Sequence, residues 1–157
     1  MLTCTTVPIL AYHGTAPDAP LVGVHDPVSR RLLEVLWTST NYWLAAQFQD
    51  GEVRKLAITL KTPLILSEEE RAQRWYGKSH AYIVDQIAAD VRRGVAPHDG
   101  IIFPETVDGM EVGDVVVVLP RISETGEPCL EHAVTTLGWR RYDEAQNDWV
   151  SSPGFDA

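Results

Sequence analysis

Asp114-Val115-Val116-Val117-Val118-Leu119 is the stretch on which the fold turns. Four consecutive β-branched residues leave no polar face for water, so they predict a central strand buried on both sides. Working upstream, Asp108-Gly109 marks a turn and Ile101-Ile102-Phe103 an apolar run opened by Asp99-Gly100. Before these lies a helical pattern from about Ser79 to Arg93, with Ile83, Ile87 and Val91 on one face and Gly94 as its stop. Ser67-Glu68-Glu69-Glu70 is a capping box. Val53 to Leu60 predicts a strand, Pro63 interrupts it, and Leu64-Ile65-Leu66 adds a short edge piece.

The first third carries the strand Val7-Pro8-Ile9-Leu10-Ala11-Tyr12, ending at His13-Gly14-Thr15. Pro17, Pro20, Gly23 and Pro27 then keep the chain irregular to about Ser29. The apolar run Leu33 to Trp37 leads into Thr38-Ser39-Thr40-Asn41, whose side-chain oxygens suit a helix cap. That helix runs through Phe48 and stops near Asp50-Gly51. At the other end, His132 to Tyr142 predicts a strand and residues 151–157 a frayed tail. The sum is one α+β domain over residues 1–150, dominated by sheet.

Composition sets outer limits. The chain has 157 residues, with 13 Lys+Arg against 22 Asp+Glu and a formal net charge of -9. Hydrophobic residues at 45% with charged residues at 22% place it among globular domains rather than disordered chains. An acidic total disfavours a protein that grips nucleic acid through phosphates, while leaving room for a local basic pocket. No apolar run reaches membrane-spanning length, and Met1-Leu2-Thr3-Cys4 lacks the flank of a secretory signal, so a cytoplasmic location, or delivery into a target cell's cytoplasm, is expected, with no membrane partner. Cys4 and Cys129 allow one disulfide or two free thiols, the latter fitting a reducing compartment. Cys129-Leu130-Glu131-His132 offers two zinc-type ligands without a second pair, so no metal is expected.

Two stretches bear on chemistry. Tyr12-His13-Gly14-Thr15 puts an imidazole beside a glycine at a strand end, where a planar ligand can approach backbone while the ring donates to it. Taken alone, it reads as a hydrogen-bonded histidine at a strand terminus. Trp37-Thr38-Ser39-Thr40-Asn41 and then Leu44-Ala45-Ala46-Gln47-Phe48 frame a hydroxyl-rich turn with two aromatics, which can hold a flat heterocycle or simply pack in the core. Arg30-Arg31, Arg92-Arg93 and Arg140-Arg141 are basic pairs, each able to meet a pyrophosphate or to sit on a solvated face. His25, His80, His98 and His132 fall in no recognisable spacing and receive no role.

Order and spacing together resemble the NAD-binding core of the ADP-ribosyltransferases, in their diphtheria-toxin-like and poly(ADP-ribose)-polymerase-like branch, and in particular small phage- or toxin-type members. The resemblance spans residues 7–122 and includes the strand from Val53 with Thr62-Pro63-Leu64 after it, and Asp99-Gly100-Ile101-Ile102. It implies an α+β fold of two packed, mostly antiparallel sheets, a split β-sandwich with flanking helices. It implies a mono-ADP-ribosyltransferase that takes NAD as substrate, cleaves the nicotinamide–ribose bond and passes ADP-ribose to a macromolecular acceptor, with protein favoured over nucleic acid.

The resemblance also assigns residues. His13 would bond ribose hydroxyls on the adenosine side, and Gly14 would offer backbone to the nicotinamide carboxamide, with Thr15 beside them. Trp37 takes the place of the family's stacking Tyr, and Phe48 that of the second aromatic; Thr38 and Ser39 match the supporting hydroxyl turn. Asp114 best matches the carboxylate that grips the ribose 2-hydroxyl as positive charge develops, with Glu111 and Glu105 as rivals. Trp37 for Tyr and Asp114 for Glu are departures from the family pattern. They leave open an NAD hydrolase or an inactive NAD- or ADP-ribose-binding module, beside an acidic protein-interaction domain. Val112, two positions before Asp114, is not the acid found there in arginine-modifying relatives, which lowers arginine as an acceptor.

Overall fold

The computed structural model describes residues 7–22, 35–122 and 128–156. Its elements are β1 (Ile9–Thr15), β2 (Leu36–Ser39), α1 (Tyr42–Ala46), β3 (Glu52–Ile58), β4 (Leu64–Ile65), α2 (Glu68–Arg74), α3 (His80–Arg92), β5 (Gly100–Val107), β6 (Met110–Val118), β7 (Arg121–Ile122), β8 (Pro128–Cys129), β9 (Val134–Asp143) and β10 (Asp148–Ser151). The domain is α+β. Eight strands form one mixed sheet in the order β10-β9-β3-β1-β2-β6-β5-β4, and β7 pairs with β8 apart from it. Every neighbour in the large sheet is antiparallel except β4 on β5.

Hydrogen bonding therefore joins the strands into one sheet, where two had been expected. The join between β1 and β2 is a single position, Tyr12 opposite Ser39. By contrast, β1 and β3 stay paired from Ile9 with Ile58 to Thr15 with Glu52. On either side of that join the sheet has its own cover. Ile83, Val84, Ile87 and Ala88 of α3 pack on Ile101, Phe103 and Val117. On the opposite face, Val116, Val118 and Leu36 meet Ala11, Leu56 and Ile58. Val116, Val117 and Val118 are thus fully buried, with alternate side chains feeding two cores, as the valine run predicts. Burying each contributes about 1.5–3 kcal/mol.

The helix starts follow their caps. Asn41 Oδ1 accepts from the N–H groups of Trp43 (3.0 Å) and Leu44 (3.3 Å), Ser67 Oγ from Glu70, and Ser79 Oγ from Tyr82 (both 3.1 Å). Gly94, at φ 75°, ends α3 in a conformation that favours glycine.

Three expectations are corrected. The first helix stops at Ala46 instead of reaching Phe48, because Gln47, Phe48 and Gln49 each bond back three residues and tighten the chain into a turn. Next, β6 begins at Met110 and not at Asp114. Asp108 (φ 52°) and Gly109 (φ 81°) make a two-residue hairpin turn, so pairing starts at once with Val107 opposite Met110. Finally, residues 151–156 are packed, not frayed. Phe155 is buried against Tyr12 and Tyr42, and its carbonyl accepts from Lys55 Nζ at 3.1 Å. Gly138 allows this approach, since a Cβ there would lie 2.4 Å from Phe155 N. Cys4, Gly23, His25, Pro27, Arg30-Arg31 and Leu33 lie outside the described residues.

Candidate active site

A cavity of about 460 Å³ opens where β1 and β2 meet. Along its wall lie His13 and Gly14 from β1, Trp37, Thr38 and Ser39 from β2, and Phe48 after α1. Glu105 of β5, His80 of α3 and Val115 of β6 also line it.

The hydroxyl-rich turn is the organiser. Thr38 Oγ1 donates to the Val116 carbonyl at 2.7 Å, which fixes β2 on the valine strand. Ser39, pointing the other way, accepts from Asn41 N–H at 3.0 Å and donates to the carboxylate of Glu105. Thr40 Oγ1 accepts from Asp114 N–H at 2.9 Å, and Asn41 Nδ2 donates to the Val112 carbonyl at 3.1 Å while its oxygen caps α1. Four successive side chains thus tie the turn to β5, β6 and α1. The hydrogen bond from Ser39 fixes the position of the Glu105 side chain.

His13 is fixed in the same way. Its Nδ1 lies 2.7 Å from the Trp37 carbonyl, an oxygen that can only accept, so Nδ1 carries the proton. Burial holds the ring's pKa below the usual 6.5, and the Arg54 charge pushes in the same direction against the opposing effect of the Trp37 bond. A neutral ring protonated on Nδ1 keeps Nε2 as an acceptor, so His13 is built to receive a hydroxyl proton rather than to donate one. The ring's Nδ1 proton is thus directed at Trp37.

Gly14 is required sterically. A Cβ there would lie 2.4 Å from the Ala45 carbonyl and 2.9 Å from Phe48 C, so glycine lets the end of α1 sit directly on β1. That approach carries Phe48 to the cavity while leaving it 78% exposed. Trp37 packs edge-on to Phe103, with ring centroids 6.4 Å apart.

The structure brings His13, Gly14, Trp37, Thr38, Ser39 and Phe48 together and leaves three expected residues out. Asp114 is exposed, next along β6 to the cavity-lining Val115, and strand alternation turns it to the other face. Glu111 is exposed beyond a register shift in the β5–β6 pairing. Thr15 accepts from Asp50 N–H through its carbonyl and lies outside the cavity. The carboxylate facing the cavity is Glu105.

Two contributors escaped the sequence. His80, first residue of α3, packs against Phe103 with centroids 4.4 Å apart, and its pKa is lowered by burial and then by Arg71. Its only sequence signal is its place directly after the Ser79 cap. Arg54 stands opposite His13 in the β1–β3 register, an adjacency no spacing reveals. Of the arginine pairs proposed for a pyrophosphate, three members make other contacts: Arg141 with buried Glu52 at 2.6 Å, Arg140 with the Tyr42 hydroxyl at 3.2 Å, and Arg93 with Asp90.

No protein-family model matches the chain, and neither a curated protein nor a solved structure matches it. Among the described residues no helix is long and apolar enough to cross a membrane.

Proposed function

We propose that the chain is an NAD-dependent mono-ADP-ribosyltransferase whose reaction takes place in the cavity at the β1–β2 junction. One observation carries the reading. Residues singled out in two separate segments by resemblance to that family converge on one cavity, and a carboxylate held by the hydroxyl turn joins them there. The single-position join of β1 to β2, with a core between the flanking strands, also favours the split-sandwich form of the fold.

In this reading the nicotinamide lies against Trp37, with Phe48 at the mouth. His13 Nε2 accepts from a ribose hydroxyl. Glu105 takes the carboxylate role first given to Asp114: it accepts from the ribose 2-hydroxyl and stabilises the oxocarbenium-like charge as the nicotinamide bond breaks. Nicotinamide departs with the bonding electron pair, and an acceptor nucleophile on a protein forms the new bond to the anomeric carbon and loses its proton. Glu105 restores the acid of full length that Asp114 lacked. The residue two positions before it, Phe103, is apolar, so arginine stays disfavoured as the acceptor.

The test is incubation of the protein with labelled NAD and a cell lysate. The reading expects label on a discrete protein and its loss in Glu105→Gln and His13→Ala. Nicotinamide release without labelling would make the protein a hydrolase, and NAD binding without release a binding module. Absence of NAD affinity would overturn the assignment.

A further inference from the structure

A second and larger cavity, about 910 Å³, opens at the far end of the sheet. Lys61, Arg92, His98, Asp99, Arg121 and His132 line it. Val115 in the first cavity and Leu119 in this one are four residues apart on one run of extended chain, about 13 Å. The two are separate sites, and nothing about the second depends on the NAD reading of the first.

In a chain of net charge -9, this groove reverses the local sign. Among the described residues its one carboxylate is already occupied. Asp99 accepts from the backbone N–H of Lys61 at 2.7 Å and of Thr62 at 3.0 Å, so both its oxygens serve to hold the β3–β4 connection. Arg92 belongs to the last turn of α3, where its charge answers the helix dipole. Lys61 and Arg121 are exposed, and among the described residues neither side chain forms an ion pair. They share the groove with His132. Its pKa is lowered by burial first, then by Arg121 and by Lys61, with Asp99 pulling the other way. Among the described residues His132 Nδ1 is enclosed without a hydrogen-bond partner, so Nε2 is the ring nitrogen left to meet an occupant. Leu119, Pro120 and Ile122 give the groove an apolar wall beside these charges.

We propose that this groove binds a phosphorylated small molecule of nucleotide size. Its oxyanion is held between Lys61, Arg121 and His132, and its organic body rests on the wall of Leu119, Pro120 and Ile122. Charge-assisted bonds to two cations give the oxyanion its affinity, and the apolar wall selects a phosphate ester over the free ion.

The experiment is an NMR titration of the full chain with AMP and, separately, with inorganic pyrophosphate, following the His132 ring and the backbone amides of residues 119–122. AMP is expected to shift these signals, with pyrophosphate acting at the same residues more weakly. The double variant Lys61→Gln/Arg121→Gln, both at exposed positions, should weaken AMP binding at the groove about ten-fold or more. His13→Ala should leave it unchanged. No shift at residues 119–122 and His132, or shifts that persist undiminished in the double variant, would overturn the proposal. So would an oligonucleotide that binds more tightly than AMP with contacts spread beyond the groove.

Discussion

The two flanks of the β1–β2 junction are built on different physics. The β2-β6-β5-β4 flank is an apolar assembly, in which the valine strand and α3 bury aliphatic side chains against each other. The β1-β3-β9-β10 flank buries charge. Glu52, 1% exposed, lies between Arg54 at 2.5 Å and Arg141 at 2.6 Å, and Lys55 is buried beneath Phe155. Both flanks share the apolar core of Ala11, Leu56 and Ile58 with Leu36, Val116 and Val118, and the second adds a few specific charged contacts to it. The cavity lies where the two meet, taking Trp37, His80 and Glu105 from the first and Tyr12 and His13 from the second.

That contrast is breakable at Glu52. Replacement by alanine strands two guanidinium groups beside a buried hole, and breaking a buried pair costs about 3–5 kcal/mol. Chemical denaturation of Glu52→Ala should show a loss of about 3 kcal/mol, near the lower end because Arg141 is 36% exposed. A loss under about 1 kcal/mol would mean that this flank, too, is held by its apolar contacts.

Gly14 sharpens the comparison at the junction itself. Gly14→Ala places a Cβ against the backbone of the α1 end, so the helix must move. The expected cost is about 1–3 kcal/mol, with a larger effect on ligand affinity because Phe48 moves with the helix. Unchanged stability and affinity would show that α1 adjusts freely.

The smallest effect is on pH dependence. His13, His80 and His132 all have pKa values below 6.5 in the folded protein. The unfolded chain takes up protons at these rings that the folded chain refuses. Stability from this source is therefore whole above pH 6.5 and declines as pH falls below it. Denaturation between pH 7 and 5 should show that decline, and His13→Asn should reduce it, with His80 and His132 still contributing. A rise in stability over the same range would contradict the buried neutral state of His13.

The apolar flank was legible from the sequence because its rules are local. Four valines, the Asp108-Gly109 turn, and the Ser79 and Gly94 boundaries of α3 each declare themselves within a few residues. The charged flank was not, since Glu52 meets Arg141 only once β3 and β9 pair across 89 positions of sequence. The packed end of the chain was missed for the same reason. Phe155 is buried through glycines at 138 and 154, whose value lies in what they let approach. The site divides likewise. Residues clustered in sequence, His13 with Gly14 and Trp37 through Ser39, were found as groups, whereas choosing among Asp114, Glu111 and Glu105 needed strand alternation and a register shift. Asp114 was favoured as a strand opener, and the tight hairpin moved that opening to Met110.

The central claim is that Glu105, held by Ser39, is the carboxylate of an NAD-cleaving cavity. The most direct measurement is the rate of nicotinamide release from NAD by the wild-type chain, Glu105→Gln and Asp114→Asn. The account predicts a fall of about 100-fold or more in Glu105→Gln, the scale for removing one preorganised charge-stabilising group. Asp114→Asn, altered on the exposed face away from the cavity, should stay within about two-fold of wild type. Full activity in Glu105→Gln together with its loss in Asp114→Asn would contradict the account.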